Sequence, residues 1–212
     1  MDGQKLCVEI SHVTKRFGED LVLKEVNLAL DCGKVYGIVG NNGSGKTVLM
    51  KCICGFVHPT AGTSQIDGKY VGKDMDFPED MGVIIETPEF ISYMSGFQNL
   101  KLLAKGRKRI GDKEICEVME TVNLQPQSRL HVKKYSLGMR QRLGIAQAIM
   151  EHPKLLVLDE PLSSLDEEGV QDVRKILLGM KQLGVTIILS SHNAEDINVL
   201  CDDVYRLQKG CL

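Results

Sequence analysis

The 212-residue chain contains no tryptophan and only 5% aromatic residues, so its core must be built mainly from aliphatic side chains. It has no apolar stretch near the roughly 20 residues that a bilayer-crossing helix needs. The longest apolar runs, at 155–158 and 185–189, are strand-sized. It also lacks a basic excess: 26 Lys and Arg against 28 Asp and Glu leave a formal net charge of −2. That balance disfavours nucleic acid as a partner, because binding a phosphate backbone needs a basic surface. The first residues, Met1 to Lys5, lack the basic start and apolar run of a secretion signal. The seven cysteines include no CxxC pair. Cys52 and Cys54, two apart on an expected helix, point in different directions and make a poor metal site, so reduced thiols are the expectation. Long repeats, low-complexity tracts and Pro-rich linkers are missing too.

What remains is an ordinary globular composition, 43% apolar and 25% charged, long enough for one substantial core or two closely packed lobes. Residues 5–30 read as extended segments, and 35–39 as a short strand ending in a glycine-rich turn. A helix with apolar positions Val48, Leu49 and Ile53 follows, then a strand at 81–85. From 87 to 151 the pattern predicts helices near 97–105, 113–122 and 138–150, with no strand. Strand and helix alternation then resumes: 154–158, 167–183, 185–190, 194–200 and 204–207. Such alternation implies a parallel sheet flanked by helices, with the middle helices inserted into an α/β core. For the helix at 167–183, Ser164 and Glu167 have capping-box spacing and Gly184 is placed to end it.

Gly40-Asn41-Asn42-Gly43-Ser44-Gly45-Lys46-Thr47 fits GxxxxGK[ST] in full, between an expected strand and an expected helix. Several backbone N–H groups must approach phosphate oxygens closely, and glycines permit that path. The helix start adds partial positive charge. Lys46 is placed to neutralise the β- and γ-phosphates, and the Thr47 hydroxyl to bind Mg²⁺. The apolar run 155–158 ends in Asp159-Glu160. Ligands of parallel α/β sheets sit at the carboxyl ends of strands, so Asp159 is a candidate Mg²⁺ ligand and Glu160 the candidate general base for an attacking water. His192 closes another apolar strand at the same sheet edge, within plausible reach of a γ-phosphate.

Tyr135-Ser136-Leu137-Gly138-Met139-Arg140-Gln141-Arg142 precedes a helix, and Asp159 lies 23 positions after Ser136. Here the sequence resembles the ABC transporter ATPases, whose signature is usually LSGGQ. Ser136 and Gly138 keep its two phosphate-facing positions, while Leu137 and Met139 depart from it. A Ser hydroxyl and a Gly N–H at a helix start make a second anion site. The resemblance covers essentially the whole chain. It implies a P-loop NTPase of RecA-like α/β core with an N-terminal antiparallel β-subdomain and an inserted helical subdomain. Residues 1–86 and 152–212 would form the ATP-binding core, and 87–151 the signature subdomain. It implies ATP hydrolysis with Mg²⁺ in a head-to-tail dimer, homomeric or of two similar chains, each signature completing the site of the other. It implies an integral membrane permease as partner and a peripheral place on the cytoplasmic face of the membrane. It matches residues 161–166, including Asp166, to the D-loop, His192 to the switch histidine and Phe17 to the adenine-stacking aromatic; without it, Phe17 reads equally as an aromatic on a β-edge.

Val48 stands where the family commonly has a hydroxyl near the α-phosphate; losing that bond should cost only about 0.5–1.5 kcal/mol. Glu86 replaces a Gln that links Mg²⁺, water and permease, and is expected to serve as metal ligand or coupling residue, or else as a surface Glu capping a strand. Residues 85–88, Phe90, Asn99-Leu100 and the signature variant point to the subgroup of bacitracin-resistance and lantibiotic-immunity exporters. Tyr93, Met94 and Phe97 either line a permease groove or fill the helical lobe. Lys105, Arg107, Lys108 and Arg109 form a basic cluster that faces anionic lipid or, more simply, ends a solvated helix. The competing reading is a soluble ABC ATPase of translation or DNA repair, which would need a second cassette or a long coiled-coil insertion. A P-loop kinase would leave Ser136 and His192 unexplained.

Overall fold

The computed structural model describes residues 6–212. Met1 to Lys5, the segment read for a secretion signal, lie outside them. Two long strands, β1 (Leu6–Phe17) and β2 (Asp20–Asp31), pair antiparallel and are joined by β4 (Ala61–Ile66) and β5 (Lys69–Tyr70) into a four-stranded sheet of order β2-β1-β4-β5. A second sheet, parallel throughout, has the order β6-β7-β8-β3-β9, built from β3 (Val35–Val39), β6 (Met81–Ile84), β7 (Leu155–Leu158), β8 (Thr186–Leu189) and β9 (Asp203–Arg206). Helix α1 (Lys46–Cys54) follows β3 directly; α2 (Gly96–Arg107), α3 (Asp112–Thr121) and α4 (Leu137–Ile149) lie between β6 and β7; α5 (Glu167–Gln182) and α6 (Ala194–Leu200) flank β8 in the chain.

The central strands β3, β7 and β8 read as largely apolar runs because both faces are covered, whereas the edge strand β9 is mostly exposed. Their residues divide by the two-residue period of a strand. On β7, Leu156 and Leu158 join a core with α3, α4 and α5, while Leu155 and Val157 join a second core with α1 and the antiparallel sheet. On β8, Ile187 and Leu189 face the first core and Ile188 the second. The sheet is thus the wall between two aliphatic cores.

Most expected elements lie within one or two residues of their expected bounds. Two strands escape the sequence reading, β4 and β5. Only Ser64 and Ile66 of β4 are buried, so its polar sequence carries little strand signal. One cap is corrected: α5 is capped by Asp166, which accepts from Gly169 N at 3.0 Å, whereas Ser164 sits in the left-handed region at φ +68°. The predicted Ser164–Glu167 box is therefore not the one used.

Candidate functional site

The four adjacent parallel strands β6, β7, β8 and β3 end at one sheet edge, about 4.8 Å apart. Their continuations are Glu86, Asp159-Glu160, Ser190-Ser191-His192 and the glycine loop from Gly40. Side chains of four distant stretches of sequence are thereby brought together.

The loop is fitted to its path. A Cβ on Gly40 would stand 2.3 Å from Leu207 O, and Gly45 holds φ +107° immediately before α1. No side chain caps α1, so its first N–H groups, unpaired by helix geometry, face the loop's concavity. Lys46 is buried, its Nζ donating to Gly40 O at 2.7 Å and Asn41 O at 3.3 Å. A cavity of about 520 Å³ is lined by Val22, residues 42–48, Asp159, Glu160 and His192, a size suited to a nucleotide. The buried Ser44 Oγ at its wall has no protein partner. Amide donors, an ammonium and an unpaired hydroxyl together fit a polyphosphate.

Asp159 is buried at the base of the cleft. Thr47 Oγ1 donates to its Oδ2 at 2.6 Å, and Ser190 Oγ donates to its Oδ1 at 2.6 Å. Glu160 N in turn donates to Ser190 Oγ at 2.9 Å. The carboxylate and the Thr47 hydroxyl are hard oxygens held side by side, the donor set that Mg²⁺ prefers. Glu160 has left-handed backbone, φ +51°, at the sharp exit from β7. Its Oε2 accepts from His192 N at 3.3 Å, and its Oε1 makes no hydrogen bond although His192 Nε2 is 3.3 Å away. That oxygen is buried and keeps lone pairs without a donor. Gln141 of α4 donates to Pro161 O at 2.8 Å and Glu160 O at 3.4 Å, and Ser163 Oγ to Glu160 O at 2.8 Å, fixing the turn beyond Glu160.

Behind His192 lies a buried charged cluster. Arg174 Nη2 meets Asp196 Oδ1 at 2.6 Å, and Ser191 Oγ donates to Asp196 Oδ2 at 2.9 Å. Arg174 Nη1 also reaches Glu195 at 2.9 Å, holding that carboxyl below its ordinary range. These contacts tie α5 and α6 to the loop that carries His192.

The remaining predicted residues lie elsewhere. Ser136 caps α4, its Oγ accepting from Met139 N at 3.1 Å, and Gly138 faces Ser164 O, which a Cβ would approach to 3.2 Å. Both are absent from the cleft of their own P-loop. Asp166 spends its carboxylate on capping α5. Glu86, at φ +62°, is held by Lys51 of α1 at 2.6 Å and lines a neighbouring groove with Pro88, Leu137, Asp159 and Glu160. Phe17 is exposed at the β1–β2 hairpin, with Lys15 Nζ 4.8 Å from its ring centroid. Val48 lines the cleft. Tyr93 is exposed, while Met94 and Phe97 are half-buried. In the basic cluster, Arg107 is paired with Glu151, and Arg109 with Asp80 and Glu79.

Sequence reasoning missed Ser190, Gln141, Lys51, Val22 and the Arg174–Asp196 pair. Ser190 alone left a trace, as the first polar residue past an apolar strand.

The profile of the ABC transporter family matches residues 23–163. An ABC transporter ATP-binding protein of Bacillus subtilis is 42% identical over 205 residues, covering 97% of this chain and 94% of that protein. The bacitracin transport ATP-binding protein BcrA of Enterococcus faecalis is 39% identical over 207 residues, with coverage of 97% and 67%. The lantibiotic transport ATP-binding protein SrtF of Streptococcus pyogenes is 34% identical over 204 residues, with coverage of 96% and 87%. Among solved structures, a dimeric ATP-binding cassette in a post-hydrolysis state with ADP and Pi superposes with a TM-score of 0.85 at 24% identity, covering 97% of this chain and 96% of that one. CbiO1 of Clostridium perfringens, part of an ABC transporter complex, gives 0.82 at 27% identity, covering 98% and 86%. Cradle, carboxylates and kinship agree: the chain belongs to the ABC transporter family, as one of its ATP-binding, ATP-hydrolysing subunits.

Proposed function

We propose that the chain is the motor of an exporter whose membrane-spanning part is a separate permease, and that two copies, or this chain and a similar one, close head to tail around two MgATP. The carrying observation is the position of Ser136 and Gly138. They form an anion-suited helix start outside their own nucleotide cleft, beside Leu137, which is 65% exposed. A second half-site that does not serve its own P-loop is suited to a partner's. Asp166, in the turn between Glu160 and α5, lies along the same face in this arrangement.

Loop amides and Lys46 hold the β- and γ-phosphates, Phe17 stacks on the adenine, and Thr47 and Asp159 hold Mg²⁺. When bound, the ion neutralises charge developing on the phosphate oxygens. Glu160 Oε1 accepts a proton from the attacking water while His192 steadies both base and γ-phosphate. Hydrolysis reopens the dimer. Residues 1–86 and 152–212 act as the ATP-binding core, and 87–151 as the signature subdomain that moves against it. Glu86 carries the nucleotide state to the permease. A groove of about 270 Å³ lined by Phe56, Phe77, Leu103 and Met150 is suited to an amphipathic permease helix. No described helix is long and apolar enough to cross a membrane, in keeping with a peripheral place on the cytoplasmic face. The names of the bacitracin and lantibiotic relatives support a peptide antibiotic as cargo.

The test is Glu160→Gln. Turnover should fall by about 10²–10⁴, the usual worth of a general base, while ATP binding persists and an ATP-dependent dimer appears on size exclusion. Normal turnover removes Glu160 from its role, and a monomer at saturating ATP removes the shared site. Affinity capture of the chain from detergent-solubilised membranes should bring down the permease.

A further inference from the structure

Outside the nucleotide cleft, Cys7, Cys32 and Asp67 bring two sulfurs and a carboxylate oxygen within 4.8 Å of one another. Three separate segments meet there: β1, the turn after β2, and the turn between β4 and β5. A bulge contributes first. Leu6 pairs with Asp31 and Val8 with Leu30, which leaves Cys7 as the extra residue, and a bulge re-aims the side chain it carries. Cys7 and Val8 are both buried as a result, contrary to strand alternation. Asp67 is fixed by its backbone, its N–H donating to Cys7 O at 2.9 Å and its φ at +49°. The cluster touches the parallel sheet as well: the Thr186 hydroxyl of β8 hydrogen-bonds the Cys7 sulfur and accepts from Gly33 N at 2.9 Å.

We propose that Cys7, Cys32 and Asp67 form a binding site for a thiophilic divalent cation of the zinc class, held by two thiolates and one carboxylate with water as fourth ligand. Bonds of about 2.3 Å to sulfur and about 2.1 Å to oxygen put tetrahedral ligand atoms about 3.4–3.8 Å apart. Closing from the present separation needs side-chain adjustment of around an ångström. A bound cation displaces the thiol protons of Cys7 and Cys32 to solvent. The ion would fasten the antiparallel sheet beside the turn that starts β3, the strand that ends in the phosphate cradle.

The experiment uses the whole chain, reduced and stripped of metal, with excess Mg²⁺ to fill hard-oxygen sites. Titration with Cd²⁺ should raise a thiolate-to-cadmium charge-transfer band that saturates at one equivalent, and Zn²⁺ should displace it. Melting temperature should rise with metal concentration, as binding to the native state alone requires. Cys7→Ser risks misfolding, so exposed Cys32 and Asp67 carry the test. Cys32→Ser should abolish the band, Asp67→Ala should weaken Cd²⁺ at least tenfold, a floor set by losses at outer-shell partners, and Cys116→Ser should change nothing. Absence of a band in the parent chain, a band that survives Cys32→Ser, or affinity indifferent to Asp67→Ala overturns the site. So does a Cys7–Cys32 disulfide formed with peroxide in the presence of saturating Zn²⁺.

Discussion

The P-loop edge and the signature turn, the two anion sites of the proposal, both stand at helix starts, yet they are finished differently. At the P-loop edge, the two carboxylate residues are braced from within: Thr47 and Ser190 each donate to Asp159 at 2.6 Å, and Ser190 also receives Glu160 N. At the signature turn, the Ser136 hydroxyl accepts only the helix-capping N–H of Met139, and its neighbour Leu137 is left largely exposed. A group that must hold a metal or a base at fixed geometry is locked by second contacts. A surface that meets its ligand only on association has no need of them.

Substitutions at four positions test the contrast, the largest effect first. Arg174→Ala strips the partner from buried Asp196 behind the His192 loop, and unfolding by denaturant should show a loss of about 3–5 kcal/mol. Ser190→Ala leaves Asp159 and Glu160 N each short of a partner, a cost of about 1–3 kcal/mol. If that cost falls on the transition state, steady-state kinetics should show kcat down about 10- to 100-fold with ATP affinity changed far less. A fall in affinity without a fall in kcat would mean that Ser190 serves binding and not the base. At the signature turn the two roles of Ser136 should separate. Ser136→Ala should cost about 1 kcal/mol of stability through the lost cap. Ser136→Asp keeps a capping oxygen and that stability, but places negative charge where phosphate must arrive, so nucleotide-dependent dimerisation should fail in a protein that melts normally. Smallest is the effect of Glu86→Gln on stability. Its pair with Lys51 is largely solvent-facing, so thermal melting should register at most about 1 kcal/mol. ATPase activity with the permease present is the informative readout, and an unchanged value would leave Glu86 without a coupling role.

Legibility in the sequence followed the physics of each element. The central parallel strands β3, β7 and β8 announced themselves as apolar runs because both faces are buried, and the P-loop because its backbone path admits few sequences. β4 was hidden because the antiparallel sheet buries only Ser64 and Ile66 along it. The cap of α5 was misplaced by two residues: Ser164 has the right spacing, but Asp166 is next to the helix start and has the stronger acceptor. The basic cluster near Arg109 looked like free charge until the fold brought Glu79, Asp80 and Glu151 against it.

By itself the sequence determined which backbone stretches would extend or coil, where phosphate could be cradled, and that a carboxylate pair follows a buried strand. These are local matters, set by residue type and spacing within one turn or one strand. Only the tertiary structure decided that β8 lies between β3 and β7, which places Ser190 against Asp159 and His192 against Glu160. The same holds for the meeting of Cys7, Cys32 and Asp67 across three strand ends. Contacts between residues 25 to 60 positions apart depend on sheet order and on a bulge, and neither leaves a periodic mark in the chain.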